Sequence, residues 1–344
     1  MSDSGLALPP EPAAPSASTS WPNLWWVFGA GAGYGLLMRL LFVLPVFRGR
    51  AGESGVMLGS FVLLVPLLLG AFTVYLLPPA RRTFGQALIA PWLPLLVFVA
   101  GTAILLIEGS ICIAMALPVF LLLASLGGVL GWLVLRVVTP SRSTVGAVLL
   151  LPLAFGAFER GAALPERVGL ADASLHIDAP PEVIWHLIND ATAIQPAEMA
   201  HGLAWRIGVP YPQEAVTVDT DEGRVRKLRW DHGVHFDEPI LDWVENRYIR
   251  WRYVFASDSI SPGALDEHVV IGGSHFDLLD TSYRLTPEPG GTRLAIHVSY
   301  RVNTHFNAYA GAWADLLVAD ASRTILAFYQ RRAEAIATTS LAWR

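Results

Sequence analysis

The stretch Leu175-His-Ile-Asp-Ala-Pro-Pro-Glu-Val-Ile-Trp185 decides how the second half of the chain folds. Leu175 and Ile177 alternate with Ser174, His176 and Asp178, the period of two that gives a strand one apolar and one polar face. Ala179-Pro-Pro-Glu182 then opens a helix through Trp185 and Leu187, because a first helical turn has no backbone partner for the N–H that proline lacks. Downstream the period of two persists. Residues 214–219, 223–231, 234–244, 248–255, 274–286 and 292–303 are predicted strands, the last two separated by the turn Glu288-Pro-Gly-Gly291. Connections this short make hairpins, so the sheet is predicted to be mostly antiparallel. A helical period returns from residue 309 to about 336, with Tyr309, Trp313, Leu316, Leu317, Thr324 and Phe328 on one stripe. Residues 165–340 thus describe an α+β domain in which an antiparallel sheet meets a long C-terminal helix.

N-terminal to this domain the composition changes. The chain has 344 residues, 53% apolar and 15% charged, with a formal charge of -5, which excludes a disordered chain and a phosphate-coating nucleic-acid binder. Residues 1–160 carry eight arginines and five acids, whereas residues 161–344 carry sixteen basic and twenty-four acidic side chains. Residues 1–20, rich in Pro, Ala and Ser, fit no secretory or transit signal and are predicted to be a disordered tail. Trp21, Trp25 and Trp26 then open an apolar run at the level where indoles favour lipid headgroups. Further runs cover residues 56–77, 87–107, 112–137 and 144–158. The 22 uncharged residues at 56–77 span about 33 Å as a helix, enough for a hydrocarbon core of about 30 Å. The last run has fifteen residues, short of the usual minimum of about 17, so it is either a span or an interfacial or re-entrant segment. Residues 21–160 are therefore predicted to be a helical transmembrane domain of four to five spans.

The number of spans sets the side on which the C-terminal domain lies. Arg81, Arg82, Arg136 and Arg142 fall on one side, and Arg48 and Arg50, with Arg39 able to snorkel towards them, on the other, which favours an inside N-terminus. Five crossings then export the C-terminal domain and four keep it cytoplasmic.

Few of the reactive side chains form a recognised site. Gly29, Gly31, Gly33 and Gly35 lack the strand that a dinucleotide fingerprint requires and read as a helix-packing surface. Glu108 and Cys112, four apart, border a span, and Glu108 reads as a loop-end carboxylate in contact with water. His232 and His235 flank a turn with opposite parity, so neither a metal site nor a cofactor is expected. The single cysteine excludes an intrachain disulfide, and no nucleophile elbow, zinc motif or phosphate loop occurs.

Strand parity indicates which side chains face the terminal helix. Leu294, Ile296, Val298, Tyr300 and Val302 share one face of the last strand, and Ile249, Trp251, Tyr253 and Phe255 oppose Arg250 and Arg252. The same rule puts Arg226 beside Leu228 and Trp230, and Glu238 beside Phe236 and Ile240, so both charges point inward. A turn centred on Gly233 would make Arg226 and Glu238 diagonal neighbours. The pair is either a structural ion pair or a polar anchor for a ligand. The predicted ligand-facing set is Arg226, Trp230, Glu238, Trp251, Tyr283, Tyr300, Trp313 and Asp320; no catalytic residue is assigned.

The opening motif at 175–185, the strand meander and the long final helix resemble the START-like or SRPBCC superfamily, which includes polyketide cyclase/dehydrase and lipid-transfer domains. Glu108-Gly-Ser-Ile-Cys112-Ile-Ala-Met115-Ala-Leu-Pro118, with Phe276-Asp-Leu-Leu and Tyr283-Arg-Leu, is similar to bacterial membrane-anchored members. The resemblance implies a helix-grip fold with a hydrophobic cavity, in an integral protein of a bacterial inner membrane. The expected partners are membrane lipids and a hydrophobic small molecule such as a lipid, isoprenoid or polyketide-like compound, with no nucleic acid. The function expected is binding or transfer of that molecule; the alternative is a cyclase, aromatase or hydratase using Arg226, Glu238 or Asp320 for proton transfer.

Overall fold

The computed structural model describes residues 22–49, 54–221, 223–266 and 268–341. The tail predicted at 1–20, together with Trp21 and Arg50, lies outside them. The N-terminal half is a helical bundle: α1 (Pro22–Phe42), α2 (Val65–Leu76), α3 (Phe84–Ile89), α4 (Trp92–Ile104), α5 (Ser110–Val137), α6 (Arg142–Leu149) and α7 (Leu151–Glu159). A π-helical turn, Ser60–Leu64, leads directly into α2. Among the described residues four apolar helices are long enough to cross a membrane: Leu24–Phe42, Phe84–Ile104, Ser110–Val137 and Arg142–Glu159. The run predicted at 56–77 forms the shorter helix Ser60–Leu76, because its first residues are taken up by a 3-10 turn at Gly55–Met57. The run predicted as marginal at 144–158 gains length from Arg142, where Ser141 caps α6 by accepting a hydrogen bond from the Thr144 N–H.

Glycines set the closest helix crossings. A Cβ added at Gly31 would lie 2.8 Å from Pro94 Cβ, and one at Gly35 2.7 Å from Phe98 Cγ, so these two pack α1 against α4, while Gly29 and Gly33 meet open space. A Cβ at Gly70 or Gly127 would overlap the backbone of the facing helix, which permits the close α2–α5 crossing. These neighbours also give direction. Gly31 and Gly35 follow Pro94 and Phe98 in the same sense, as Tyr34 and Phe42 follow Leu149 and Gly156, whereas Phe42 meets Phe61 and Gly31 meets Thr73. The five segments therefore alternate in direction, and the C-terminal ends of α1, α4 and α7 share one face of the bundle. Trp25, Leu122, Val137 and Phe158 keep large apolar side chains exposed on the outside.

On that face sits the second domain, made of β1 (Glu166–Ile177), α8 (Pro181–Asn189), β2 (Asp190–Ala191), α9 (Pro196–Met199), α10 (Leu203–Arg206), β3 (Pro212–Thr220), β4 (Gly223–Trp230), β5 (His235–Val244), β6 (Tyr248–Arg252), β7 (Phe276–Glu288), β8 (Gly291–Asn303) and α11 (Asn307–Leu341). The strands form one eight-stranded antiparallel sheet in the order β1-β8-β7-β6-β5-β4-β3-β2. It curls around α11, and the core between them includes the fully buried Trp251, Tyr300 and Phe328. This is a helix-grip fold. β1 begins at Glu166, ahead of the predicted alternation at 173, because its early inward positions are the small Gly169 and Ala171 and its outward ones are Val168 and Leu170. The β4–β5 turn is centred on His232, whose φ of +55° lies in the left-handed region, so Arg226 stands directly opposite Glu238 rather than diagonal to it.

Candidate functional site

A cavity of about 370 Å³ runs between the sheet and α11 and continues into the helical bundle. Its sheet wall includes Leu228, Trp230, Phe236, Trp251, Tyr253, Tyr283 and Ile296. Its bundle wall includes Met57, Phe61, Phe98, Cys112, Met115 and Phe120. The hollow exists because the inner face of α11 is built from small side chains, Ala310, Ala314, Ala321 and Ser322, between the larger Tyr309, Leu317 and Phe328. The predicted stripe is therefore rotated: Leu316 is exposed, and Val318 and Ile325 take inward positions.

The sheet's contribution of charge to the cavity is the pair Arg226 and Glu238, 5% and 2% exposed. Arg226 Nη1 donates to Glu238 Oε2 at 2.5 Å, Nε to the Ile188 carbonyl at 3.0 Å and Nη2 to the Tyr329 hydroxyl at 3.2 Å. Its guanidinium carbon also lies 4.8 Å from the centre of the Trp251 ring. Burial opposes the Arg226 charge, but the neighbouring carboxylate outweighs it and the proton is held more tightly than in water. For Glu238 burial dominates and pushes the carboxyl up to about 7, against the pull of Arg226. Burial likewise raises the Tyr253 and Tyr283 phenols, which stay protonated and donate or accept as neutral groups. The sheet side of the cavity thus offers an apolar surface and a buried Arg226–Glu238 pair whose carboxyl is able to exchange a proton near neutrality.

Of the eight predicted side chains, Arg226, Trp230, Glu238, Trp251 and Tyr283 line this cavity. Tyr300, Trp313 and Asp320 do not. Tyr300 is buried in the core on the inward face of β8, but its hydroxyl donates to Asp315, which also binds Arg167, and this tether draws it aside. Trp313 is half-buried on a flank of α11 because the helix presents its alanine face instead. The Asp320 carboxylate accepts from the Leu203 N–H at 2.5 Å and caps α10, which removes it as a proton-transfer group in the cavity. His232 and His235 lie on the surface beside Asp231 and Asp258.

The structure adds a polar cluster absent from that set. Glu108 is turned inward rather than towards water, and its Oε1 accepts from Arg39 Nε at 2.5 Å; the Arg39 side chain is 6% exposed and does not snorkel. His268 Nε2 lies 3.8 Å from Glu108 Oε2, and all three residues line the cavity. The sequence signal was two opposite charges at the edges of apolar runs, but they are 69 residues apart and no local pattern pairs them.

Two contacts hold the domain on the bundle around the cavity mouth. Asp266 Oδ2 accepts from the Cys112 N–H at 2.8 Å at the start of α5. Tyr309 on α11 donates its hydroxyl to the Met115 carbonyl at 2.5 Å. Within the bundle, Glu159 at the end of α7 accepts from the Gly59 and Ser60 N–H groups at 2.7 and 2.8 Å. Carboxylates suit both helix starts because unpaired N–H groups gather there.

A curled antiparallel sheet holding a C-terminal helix over an apolar cavity defines a helix-grip domain. Residues 170–340 match the family described as polyketide cyclase / dehydrase and lipid transport, and through this domain the chain belongs to the START-like/SRPBCC superfamily. Similar solved structures include a START superfamily protein from Mycobacterium smegmatis, 15% identical, covering 48% of this chain and 98% of that one with a TM-score of 0.32. The Zhui aromatase/cyclase of a Streptomyces species is also 15% identical, covering 49% and 94% with a TM-score of 0.29. A protein from Rhizobium leguminosarum is 13% identical, covering 49% and 99% with a TM-score of 0.28. At this level of identity none of them assigns an activity to the chain. No curated protein matches it.

Proposed function

We propose that the protein is anchored in a membrane and binds a hydrophobic small molecule, a lipid, isoprenoid or polyketide-like compound, which it exchanges with the bilayer. The observation that carries this reading is the continuity of the cavity, whose walls come from both the apolar bundle and the grip domain. A poorly soluble ligand could pass between the two without crossing water, and burying its surface would supply about 25 cal/mol per Å². The family's description, which joins lipid transport with cyclase chemistry, supports the same class of ligand. The test is extraction and mass measurement of small molecules that co-purify with the full-length protein in mild detergent. A reproducible stoichiometric hydrophobic compound is expected; protein that is well folded and empty after reconstitution in the source lipids overturns the reading.

One observation favours a second reading, an enzyme of the cyclase, aromatase or hydratase type. The Glu238 carboxyl lines the cavity and is pushed up to about 7, which suits a group that gives and takes protons near neutral pH. Glu238→Gln separates the two: an enzyme loses turnover while still binding ligand, and a carrier retains its ligand with nothing to lose.

A further inference from the structure

Arg39, near the end of α1, is 5% exposed and lines the bundle end of the cavity. Its Nε donates to Glu108 and its Nη2 to the Ile107 carbonyl at 3.4 Å, while Nη1 is buried with no acceptor among the described residues. A buried donor left in this way costs about 1–3 kcal/mol, and more when charged. The cost is removed by a ligand atom that accepts. Trp205 and Trp230 are also lining residues, each with its Nε1 buried and without an acceptor, and among the described residues no buried side-chain acceptor of the cavity wall lacks a partner. Among the buried side-chain atoms of the described wall, the unpartnered ones are therefore donors.

Charge narrows the class of acceptor. Glu108 already balances Arg39, and the Asp266 carboxylate stands close by at the Cys112 N–H. A carboxylate or phosphate placed at Nη1 would meet two like charges where water is scarce, whereas a neutral oxygen would meet only the donor.

We propose that Arg39, held in place by Glu108, is a second polar station of the cavity, which binds the neutral carbonyl oxygen of an otherwise apolar ligand. This deepens the proposed binding function and rests on it. The ligand class becomes a ketone, quinone or ester rather than a fatty acid or phospholipid headgroup, with its carbonyl at the bundle end and its apolar body in the grip.

The test uses the full-length protein in detergent micelles and three pyrene-labelled probes of equal length: an alkane, a methyl ketone and a carboxylate. The wild type is expected to bind the ketone about tenfold more tightly than the alkane, the effect of one hydrogen bond from a charged donor, and more tightly than the carboxylate. The double variant Arg39→Met with Glu108→Gln keeps the site neutral and is expected to bind ketone and alkane equally. Arg39→Lys keeps the ion pair without the guanidinium fork and is expected to reduce the preference for the ketone. A ketone preference that survives in the double variant, a wild type that does not prefer the ketone, or tightest binding of the carboxylate overturns the station while leaving the cavity's binding function intact. Failure of all three probes, the alkane included, overturns the binding function and the station together.

Discussion

Arg226 and Glu238 stand directly opposite one another on β4 and β5, inside an apolar cavity, in a register set by the left-handed turn residue His232. The pair is neutral as a unit, and every Arg226 nitrogen has a partner, so the charge is compensated although it is buried. Removing one member leaves the other uncompensated. Arg226→Met is expected to destabilise the protein by about 3–5 kcal/mol, and adding Glu238→Gln should restore most of that loss. Unfolding midpoints of the full-length single and double variants in detergent check it. Equal midpoints for the two variants would mean that the carboxyl is insensitive to its partner.

The same carboxyl makes stability depend on pH. Its ordinary value is 4.5 and burial pushes it up to about 7, so between these values the folded protein binds more protons than the unfolded chain. Stability from this group is fully present below pH 4.5 and falls as pH rises towards 7. Glu238→Gln is expected to remove this fall, so the difference between variant and wild-type midpoints should grow across that window and level off above it. Midpoints measured from pH 4.5 to 8 decide it; a constant difference would show that the carboxyl titrates alike in both states.

The hollow itself depends on small residues of α11. Ala314 is 7% exposed and lines the cavity, so Ala314→Phe is expected to fill part of it at a cost of about 1–3 kcal/mol from overpacking. The expected outcome is a folded protein with strongly reduced ligand co-purification. Ala327→Phe, on the same helix but outside the cavity wall, is the control for helix distortion.

Why this hollow was hard to read in the sequence follows from the same alanines. Strand parity identified the inward faces of β6 and β8, and with them Trp251 and Tyr283's neighbours, because large apolar side chains alternate there with arginines. On α11 the large side chains Trp313 and Leu316 dominate the pattern, while the face that matters is built from residues with almost no hydrophobic signal. Gly169 and Ala171 hid the start of β1 in the same way. The β4–β5 register was one step off because His232, rather than Gly233 alone, takes a left-handed conformation, and histidine is a weak marker for it. Arg39 and Glu108 were visible as charges, but their pairing is a property of how α1 packs beside the α4–α5 connection.

Five bundle segments alternate in direction and end with α7 on the face that carries the grip domain, whereas α1 starts at the opposite face. If all five cross a bilayer, the N-terminus and the grip domain lie on opposite sides. Cysteines introduced by Ser18→Cys and Thr339→Cys should then differ in labelling by an impermeant maleimide in sealed vesicles. Labelling of both from one side would require an even number of crossings, with Ser60–Leu76 the segment that fails to span, since it is shorter than the other four.

The docking of the two domains places a carboxylate where a side chain is missing. Gly109 precedes α5, and a Cβ there would overlap the Asp266 carboxylate that accepts from the Cys112 N–H. Glycine is therefore required by space, since its conformation is ordinary extended backbone. Gly109→Ala should displace Asp266 and remove a charged helix cap, an effect of about 0.5–2 kcal/mol. Because Asp266 belongs to the segment between β6 and β7 that carries His268, the displacement should also loosen the cavity mouth. Limited proteolysis of the full-length protein is expected to cleave the variant faster between residues 253 and 275 than the wild type. Asp266→Asn, which keeps the shape but weakens the cap, should fall between them; cleavage at the wild-type rate in Gly109→Ala would mean that the segment is held by its other contacts and that the cap contributes nothing to closing the cavity.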